Sequence, residues 1–335
     1  RADAGGMERL SFELINKLKE RSDIEATVVG YGGKRTWFPL YFTFMLPRIL
    51  WLARSADVVH LGDPLLADVG WLLQLLFKKK IAVTVHGLDV SFPNPLFTAY
   101  QRVFFPNFDL YFPISQHAAA LLKPWNVSGK VQIINPGVSD RFHDTHIARE
   151  DLDMAVSKNT ADMRVLLTVG RLVKRKGHEW FVRDVLPKLP ANILYVIAGM
   201  GPEFETISQA AVDSGVGTQV RMLGRVSEAN LKTLYNTVDA FIQPNIFIPG
   251  DAEGFGIVML EAALCNRPVF ASDIDGIADA IQDGANGNLL EAGNADGWLA
   301  ALEAPGQAIA GQREYTLKRF GWSGAAEAYA TALTL

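Results

Sequence analysis

The sequence predicts an α/β protein built from two doubly wound, parallel-sheet domains. Three observations carry this expectation. Short apolar runs alternate with amphipathic helical patterns along almost the whole chain, as expected for parallel strands covered by helices on both faces. The runs fall into two groups separated by a polar stretch. The length of 335 residues suits about two domains of roughly 150 residues each. An eight-stranded α/β barrel is the competing reading of the same alternation.

In the first domain, residues 1–140, strands are expected at Ala26–Val29, Asp57–Leu61, Ile81–Val85, Leu110–Ile114 and Val131–Ile134. Helices are expected at Glu8–Arg21 and Leu65–Phe77, where apolar residues recur at helical spacing. The break lies in Ser139–Asp162, a polar segment with no strand pattern and with Glu150, Asp151 and Asp153 clustered in it. Asn135-Pro136-Gly137-Val138 ahead of it is a turn signal. The second domain, residues 160–319, has strand runs at Val165–Val169, Ile193–Ala198, Val220–Leu223, Ala240–Gln243 and Pro268–Ala271. Helical patterns at Glu203–Ser214, Glu228–Asn236 and Gly256–Cys265 separate several of them. The tail, Phe320–Leu335, reads as a Trp- and Ala-rich helix that packs back onto the first domain. No short repeat or low-complexity tract interrupts the pattern.

Composition narrows the function classes. Hydrophobic residues at 49% and charged residues at 20% exclude disorder as the main state. The single cysteine, Cys265, excludes a disulfide framework, a Cys-rich zinc site and an iron–sulfur cluster. Six His without H-E-x-x-H spacing offer no metal cage. A net charge of −4 argues against general nucleic-acid binding. The charge is unevenly shared, +4 over residues 1–138 and −8 over the remainder, so the first half is expected to meet something anionic. No signal peptide opens the sequence. The most apolar stretch, Trp37–Ala53, is interrupted by Pro39, Pro47 and Arg48 and makes a poor spanning helix. Its neighbourhood mixes Lys34, Arg35, Arg48 and Arg54 with Trp37, Phe38, Tyr41, Phe42, Phe44 and Trp51, and Lys78–Lys80 follow. Aromatic and basic residues together suit a lipid headgroup region; a core-packing helix is the alternative.

The residues that carry chemistry lie mostly in the second half. Ala252-Glu253-Gly254-Phe255-Gly256-Ile257 leads into a helix that carries Glu261. Glycines at 254 and 256 let backbone approach a ligand, and helix N-terminal amides favour phosphate or sugar oxygens. Two carboxylates eight residues apart lie about 12 Å apart on a helix. That spacing suits opposite ends of an elongated polyhydroxylated ligand, not one acid/base pair. Val169-Gly170-Arg171-Leu172-Val173-Lys174-Arg175-Lys176-Gly177 follows a strand. Arg171 and Lys176 there suit a diphosphate leaving group. Ala198-Gly199-Met200-Gly201-Pro202-Glu203 is another strand–Gly–helix junction. In the first half, Gly5 and Gly6 precede a helix, and His86 ends the Ile81–Val85 strand.

Together these residues resemble the retaining glycosyltransferases of family 4, over nearly the whole chain. The most specific element is the E-x7-E signature, Glu253 to Glu261, within EGFGIVMLEA; GRLVKRKG, AGMGPE, Leu223-Gly224-Arg225-Val226 and Arg267-Pro268-Val269-Phe270-Ala271-Ser272 surround it. The resemblance implies the GT-B fold, two Rossmann-like domains facing a cleft. It implies transfer of a sugar from a UDP-, GDP- or ADP-linked donor to an acceptor hydroxyl, with retention and without a required cofactor or metal. Arg171 and Lys176 look like the diphosphate clamp, and Gly170, Gly199 and Gly201 like parts of the donor-binding loops. Glu253 looks like the carboxylate that holds the donor sugar. Gly254, Phe255, Gly256 and Ile257 look like the backbone that approaches sugar and phosphate. Glu261 looks like the ribose ligand and Val226 like a residue beside the base. His86 looks like a group near the reacting centre, and Gly5 and Gly6 like a phosphate loop.

The family has a strand directly before that glycine loop. Here only Arg1–Ala4 precede Gly5, so the first strand of the N-terminal domain is expected to be missing, from a fragment or from the sheet itself. Asp273-Ile274-Asp275 matches a metal-binding D-x-D of a different transferase fold and is not expected to hold metal. Expected partners are the nucleotide sugar and an acceptor glycan, lipid-linked sugar or small molecule. The expected location is cytoplasmic, at the inner face of a membrane. A GT-B epimerase or phosphorylase, or an inactive nucleotide-sugar-binding protein, are the alternatives.

Overall fold

The structure is a computed structural model that describes residues 6–30, 38–91, 94–303 and 306–334. The chain forms two units, Arg1–Gly137 with Trp322–Leu335, and Val138–Gly321.

In the N-terminal unit, β1 (Val58–Leu61), β2 (Lys80–Val85), β3 (Leu110–Pro113) and β4 (Lys130–Val131) form a parallel sheet in the order β1-β2-β3-β4. The period-2 alternation of β2 sends successive side chains to opposite faces. Ile81, Val83 and Val85 pack with Leu73 of the helix Ala67–Phe77 and with Phe105, Phe108 and Tyr111. Ala82 faces the other way, with Leu110 and Phe112, onto Leu14 and Leu18 of the helix Gly6–Lys19 and Trp322, Ala326 and Tyr329 of the helix Trp322–Thr334.

Two expectations need correction here. Ala26–Val29 is not a strand: its composition favours β structure, but no described strand pairs with it, and Val28 and Val29 are exposed. Propensity without a ladder does not make a strand. The Val131–Ile134 run contributes only its first residue to β4, although Gln132 and Ile134 still donate to the carbonyls of Tyr111 and Pro113. The tail read as a helix over Phe320–Leu335 is the helix Trp322–Thr334, which belongs to the first unit. Gln312–Phe320 belongs to the second unit, and Gly321, in extended conformation and bridged to Val138, separates it from Trp322–Thr334.

The second unit holds β5 (Arg164–Val169), β6 (Ile193–Ala198), β7 (Val220–Gly224), β8 (Ala240–Gln243), β9 (Val269–Asp273) and β10 (Asn288–Glu291). All pairings are parallel, in the order β10-β9-β8-β5-β6-β7. The strand β10 was not legible as a strand in the sequence. The central strands are buried on both faces, which explains their predominantly apolar runs. Leu166, Phe181, Tyr195, Ile207, Ile242 and Trp298 form the core on one side. The chain runs outward from β5 to β7 and then returns to β8 beside β5. This reversal of strand order creates a topological switch point, where open α/β sheets hold ligands at the carboxyl ends of their strands.

Candidate active site

The loops after β5 and β8 meet at that switch point. After β5, the chain turns at Gly170 and closes a 3-10 turn over Lys174–Lys176, ended by Gly177 in left-handed conformation. This turn decides which cation of the basic run faces inward. Lys176 is buried, Lys174 is exposed, and Arg175 is half-buried. The N–H of Ile246, beyond β8, donates to the Arg175 carbonyl at 2.9 Å and ties the two loops together.

Glu253 lies on the loop between β8 and the helix Ile257–Leu264. Its Oε2 lies 2.7 Å from Lys176 Nζ, 3.4 Å from Arg175 Nε and 3.3 Å from Asn245 Nδ2. Arg175 Nη1 also pairs with Asp251 Oδ1 at 2.8 Å. Asp275 Oδ2 accepts the backbone N–H of Glu253 at 3.0 Å, and the Glu253 carbonyl accepts the N–H of Gly276. Burial opposes charge on Glu253, but Lys176 and Arg175 with the hydrogen bonds from Lys176 and Asn245 outweigh it. The carboxyl is therefore held below the usual glutamate range.

Glu261 has a different setting. It is buried on the helix Ile257–Leu264. The Tyr235 hydroxyl donates to its Oε2 at 2.8 Å, and Arg141 Nη2 lies 3.9 Å from its Oε1. Arg141 also pairs with Glu228 at 3.0 Å and lies over the Phe142 ring. The two glutamates thus have separate partners, Glu253 among cations on a loop and Glu261 against a phenol on a helix.

The other expected site residues fall as follows. Gly256 adopts φ 87° as the N-cap of the helix, a left-handed conformation that favours glycine. Ile257 starts that helix, which has no side-chain cap. Phe255 is buried and meets the Phe320 ring edge-on, so its side chain serves the core. The Gly254 carbonyl packs against Gly276. Gly199 and Gly201 lie so close to the carbonyls of Gly170 and Leu172 that a Cβ on either would collide with backbone. In this structure they let the β5 and β6 loops touch. Gly170 lies beside the Lys176 side chain. Val226 is half-buried just beyond β7. Arg171 is exposed, and the cation that joins Lys176 at Glu253 is Arg175. Among the described residues no group of carboxylates, His and Cys could hold a metal ion. Asp273 is exposed, and Asp275 is engaged with the Glu253 amide.

In the N-terminal unit, His86 follows β2. Its Nε2 lies 3.1 Å from the Gly62 carbonyl, so that nitrogen carries a proton, while Nδ1 is buried with no hydrogen-bond partner among the described residues. Asp89 accepts the N–H groups of His86 and Gly87, and burial pushes its carboxyl up to about 6. Gly6 opens the helix Gly6–Lys19, and Gly5 lies outside the described residues.

The sequence reading missed Arg175, Asn245, Asp251, Tyr235 and Arg141, and weighed Asp275 only as half of a D-x-D. Arg175 stood inside the basic motif, but only the turn geometry shows that it points to Glu253. The others have long-range partners with no local signature.

Comparison with known proteins agrees with this architecture. A family model described as Glycosyltransferase Family 4 matches residues 4–142, and one described as Glycosyl transferases group 1 matches residues 150–304. A D-inositol 3-phosphate glycosyltransferase 2 from Catenulispora acidiphila is 28% identical over 309 residues, 82% of this chain and 69% of that protein. A GDP-mannose-dependent alpha-(1-6)-phosphatidylinositol monomannoside mannosyltransferase from Mycolicibacterium smegmatis is 27% identical over 290 residues, 82% of this chain and 72% of that protein. Among solved structures, Anabaena Alr3699/HepE in complex with UDP and glucose superposes with a TM-score of 0.80 at 16% identity, covering 100% of this chain and 97% of that one. At that identity the likeness shows the fold, which is GT-B. With both family models matched in sequence order along one chain, the protein belongs to the family 4, group 1 glycosyltransferases.

Proposed function

We propose that this glycosyltransferase moves a sugar from a nucleoside-diphosphate sugar to an acceptor hydroxyl with retention of anomeric configuration and without a metal ion. The observation that carries the reading is the buried Lys176–Glu253 pair at the switch point of the second sheet. In the reaction the bond between the anomeric carbon and the phosphate oxygen breaks. The acceptor oxygen bonds to the same face of that carbon, and its proton passes to the departing phosphate. Lys176, Arg171 and the amides at the start of the helix Ile257–Leu264 would stabilise the charge on the leaving diphosphate. Glu253 would hold hydroxyls of the sugar, with the Gly254–Ile257 backbone alongside. Glu261 would take the ribose and Val226 the base. His86 and Gly6 would contribute from the N-terminal unit. Gly5, the other residue expected in the phosphate loop, lies outside the described residues.

The relatives' names direct the acceptor reading towards glycolipid, glycan or polysaccharide synthesis, on an inositol phosphate, a lipid-linked sugar or a small polyol. The test is a thermal-shift screen in EDTA against UDP-, GDP- and ADP-sugars. One donor class should stabilise the protein, and Glu261→Gln should abolish much of that shift. No stabilisation by any of them would overturn the reading.

A membrane-facing role for the N-terminal unit rests on a separate observation. The helix Phe38–Ala53 leaves Phe44 75% and Trp51 68% exposed, and Leu75 and Leu76 are exposed ahead of Lys78–Lys80. Lys34, Arg35 and Trp37 lie outside the described residues. No described helix is long and apolar enough to cross a membrane. Rings at the interface with cations on lipid phosphates fit a peripheral contact, and the proposed location is the cytoplasmic face. Sedimentation with phosphatidylglycerol vesicles at low salt is the check; no binding would favour a soluble acceptor.

A further inference from the structure

Glu253 is buried, and three donors converge on one of its oxygens, Lys176, Asn245 and Arg175. Two of these donors are charged, and their roles differ. Lys176 carries a single ammonium on a flexible stem, and the function proposed above also requires it at the diphosphate. A diphosphate offers at least two negative charges to that ammonium, against one on Glu253. As Lys176 turns towards it, Glu253 loses part of its closest compensation in a place where an uncompensated charge is costly.

Arg175 cannot make the same move. Its Nη1 is pinned by Asp251 at 2.8 Å while its Nε faces Glu253, and its carbonyl is held by the Ile246 N–H at 2.9 Å. A planar guanidinium held at Nη1, on a residue whose backbone is also held, presents its Nε–H in one direction. The groups facing Glu253 are therefore Lys176 and Arg175 from the turn after β5, Asn245 from beyond β8, Asp251 from its own loop through Arg175, and Asp275 from beyond β9 at its backbone N–H.

We propose that Arg175, anchored by Asp251, is a positioning residue of the transfer reaction, holding the Glu253 carboxylate charged and aimed at the sugar while Lys176 turns to the diphosphate. This rests on the donor-site reading given above. Burial alone would raise the Glu253 carboxyl, and the two cations are what hold it down. With Lys176 shared, the remaining hold falls to Arg175. A lysine at 175 would keep the charge and lose the fork, so it should preserve the ionisation of Glu253 better than its aim.

The test is the titration of the Glu253 carboxyl in full-length protein by 13C NMR with labelled glutamate. Glu253→Gln identifies the signal, and UDP and GDP at saturation serve as probes. In the wild type the titration should move when a diphosphate is added. In Arg175→Gln it should lie higher, by about one pH unit with diphosphate present, and by less without it. Arg175→Lys should restore the titration but not kcat, and Asp251→Asn should give a smaller rise. On the hydrolysis of UDP-glucose or GDP-mannose, Arg175→Gln should cut kcat about tenfold, with donor KM changing less.

Arg175→Gln with lowered stability and an unmoved Glu253 titration would reduce Arg175 to a loop anchor and overturn the proposal. So would a titration that neither diphosphate alters. Wild-type turnover by Glu253→Gln would instead sink the donor-site reading itself. An inactive Glu253→Gln beside a wild-type Arg175→Gln would sink only the role of Arg175.

Discussion

Lys176 and Glu253 arrive from two sides of the switch point, one after β5 and one after β8, and meet at 2.7 Å in a buried position. Lys176 is the nearer of the two cations on Glu253, and each charge of the pair lowers the cost of burying the other. The cation proposed for phosphate and the carboxylate proposed for sugar thus lie within one hydrogen bond of each other.

Glu253→Gln keeps the shape of the side chain and an oxygen for Lys176 and Asn245, so the fold should survive. It removes the charge proposed to face the developing positive centre of the sugar. Turnover should fall by about 10²-fold or more, the scale of one transition-state contact. Circular dichroism and kcat/KM measured together check both halves; wild-type kinetics would remove Glu253 from the mechanism.

Glu261 should behave differently. Its partner is the Tyr235 hydroxyl at 2.8 Å, away from the cations around Glu253. Glu261→Gln should weaken nucleoside diphosphate binding with a smaller effect on kcat. Tyr235→Phe leaves the carboxylate in place without its phenol and should cost about 1 kcal/mol of the same affinity, roughly fivefold. Calorimetric titration with UDP and GDP reads both. Unchanged affinity in Glu261→Gln would place the ribose elsewhere.

The acid stability of the second unit should carry a signature of His178. Its Nδ1 meets the Tyr195 hydroxyl at 2.8 Å, and burial pushes the imidazole from 6.5 down to about 3, with Lys176 adding to the effect. A base whose folded pKa is depressed contributes stability above its unfolded pKa and loses it as pH falls. The window therefore runs downward from 6.5 towards 3. Between pH 6.5 and 5 the loss should be about 1.6 kcal/mol, the slope rising from about 0.7 kcal/mol per pH unit at 6.5 towards about 1.4. Urea unfolding at both pH values should show this loss in the wild type and a smaller one in His178→Gln. Equal losses would mean that His178 is already charged in the folded protein.

The sheets were legible wherever a strand is buried on both faces, because β5, β6 and β8 then read as predominantly apolar runs. Where pairing decides the structure, reading failed in both directions. Ala26–Val29 has strand composition and no partner strand among the described residues, whereas Asn288–Glu291 has a mixed composition and becomes β10 through its register with β9. The glycines and the two glutamates stood out because their spacing is local. Which cation faces Glu253 was not local: the 3-10 turn over Lys174–Lys176 turns Arg175 and Lys176 inward and leaves Arg171 exposed. Asn245, Asp251 and Asp275 gain meaning only once the loops after β8 and β9 lie against the turn after β5.

The reaction proposed is retaining transfer from a nucleotide sugar, driven by side chains and helix amides. The most direct measurement is 1H NMR of the anomeric proton during turnover of the donor chosen by the thermal-shift screen, in excess EDTA, with acceptor or with water alone. Retaining, metal-independent transfer gives a first-formed product with the anomeric configuration of the donor, at a rate that EDTA leaves unchanged. An inverted first product, or a rate abolished by EDTA and restored by Mn2+, would contradict it.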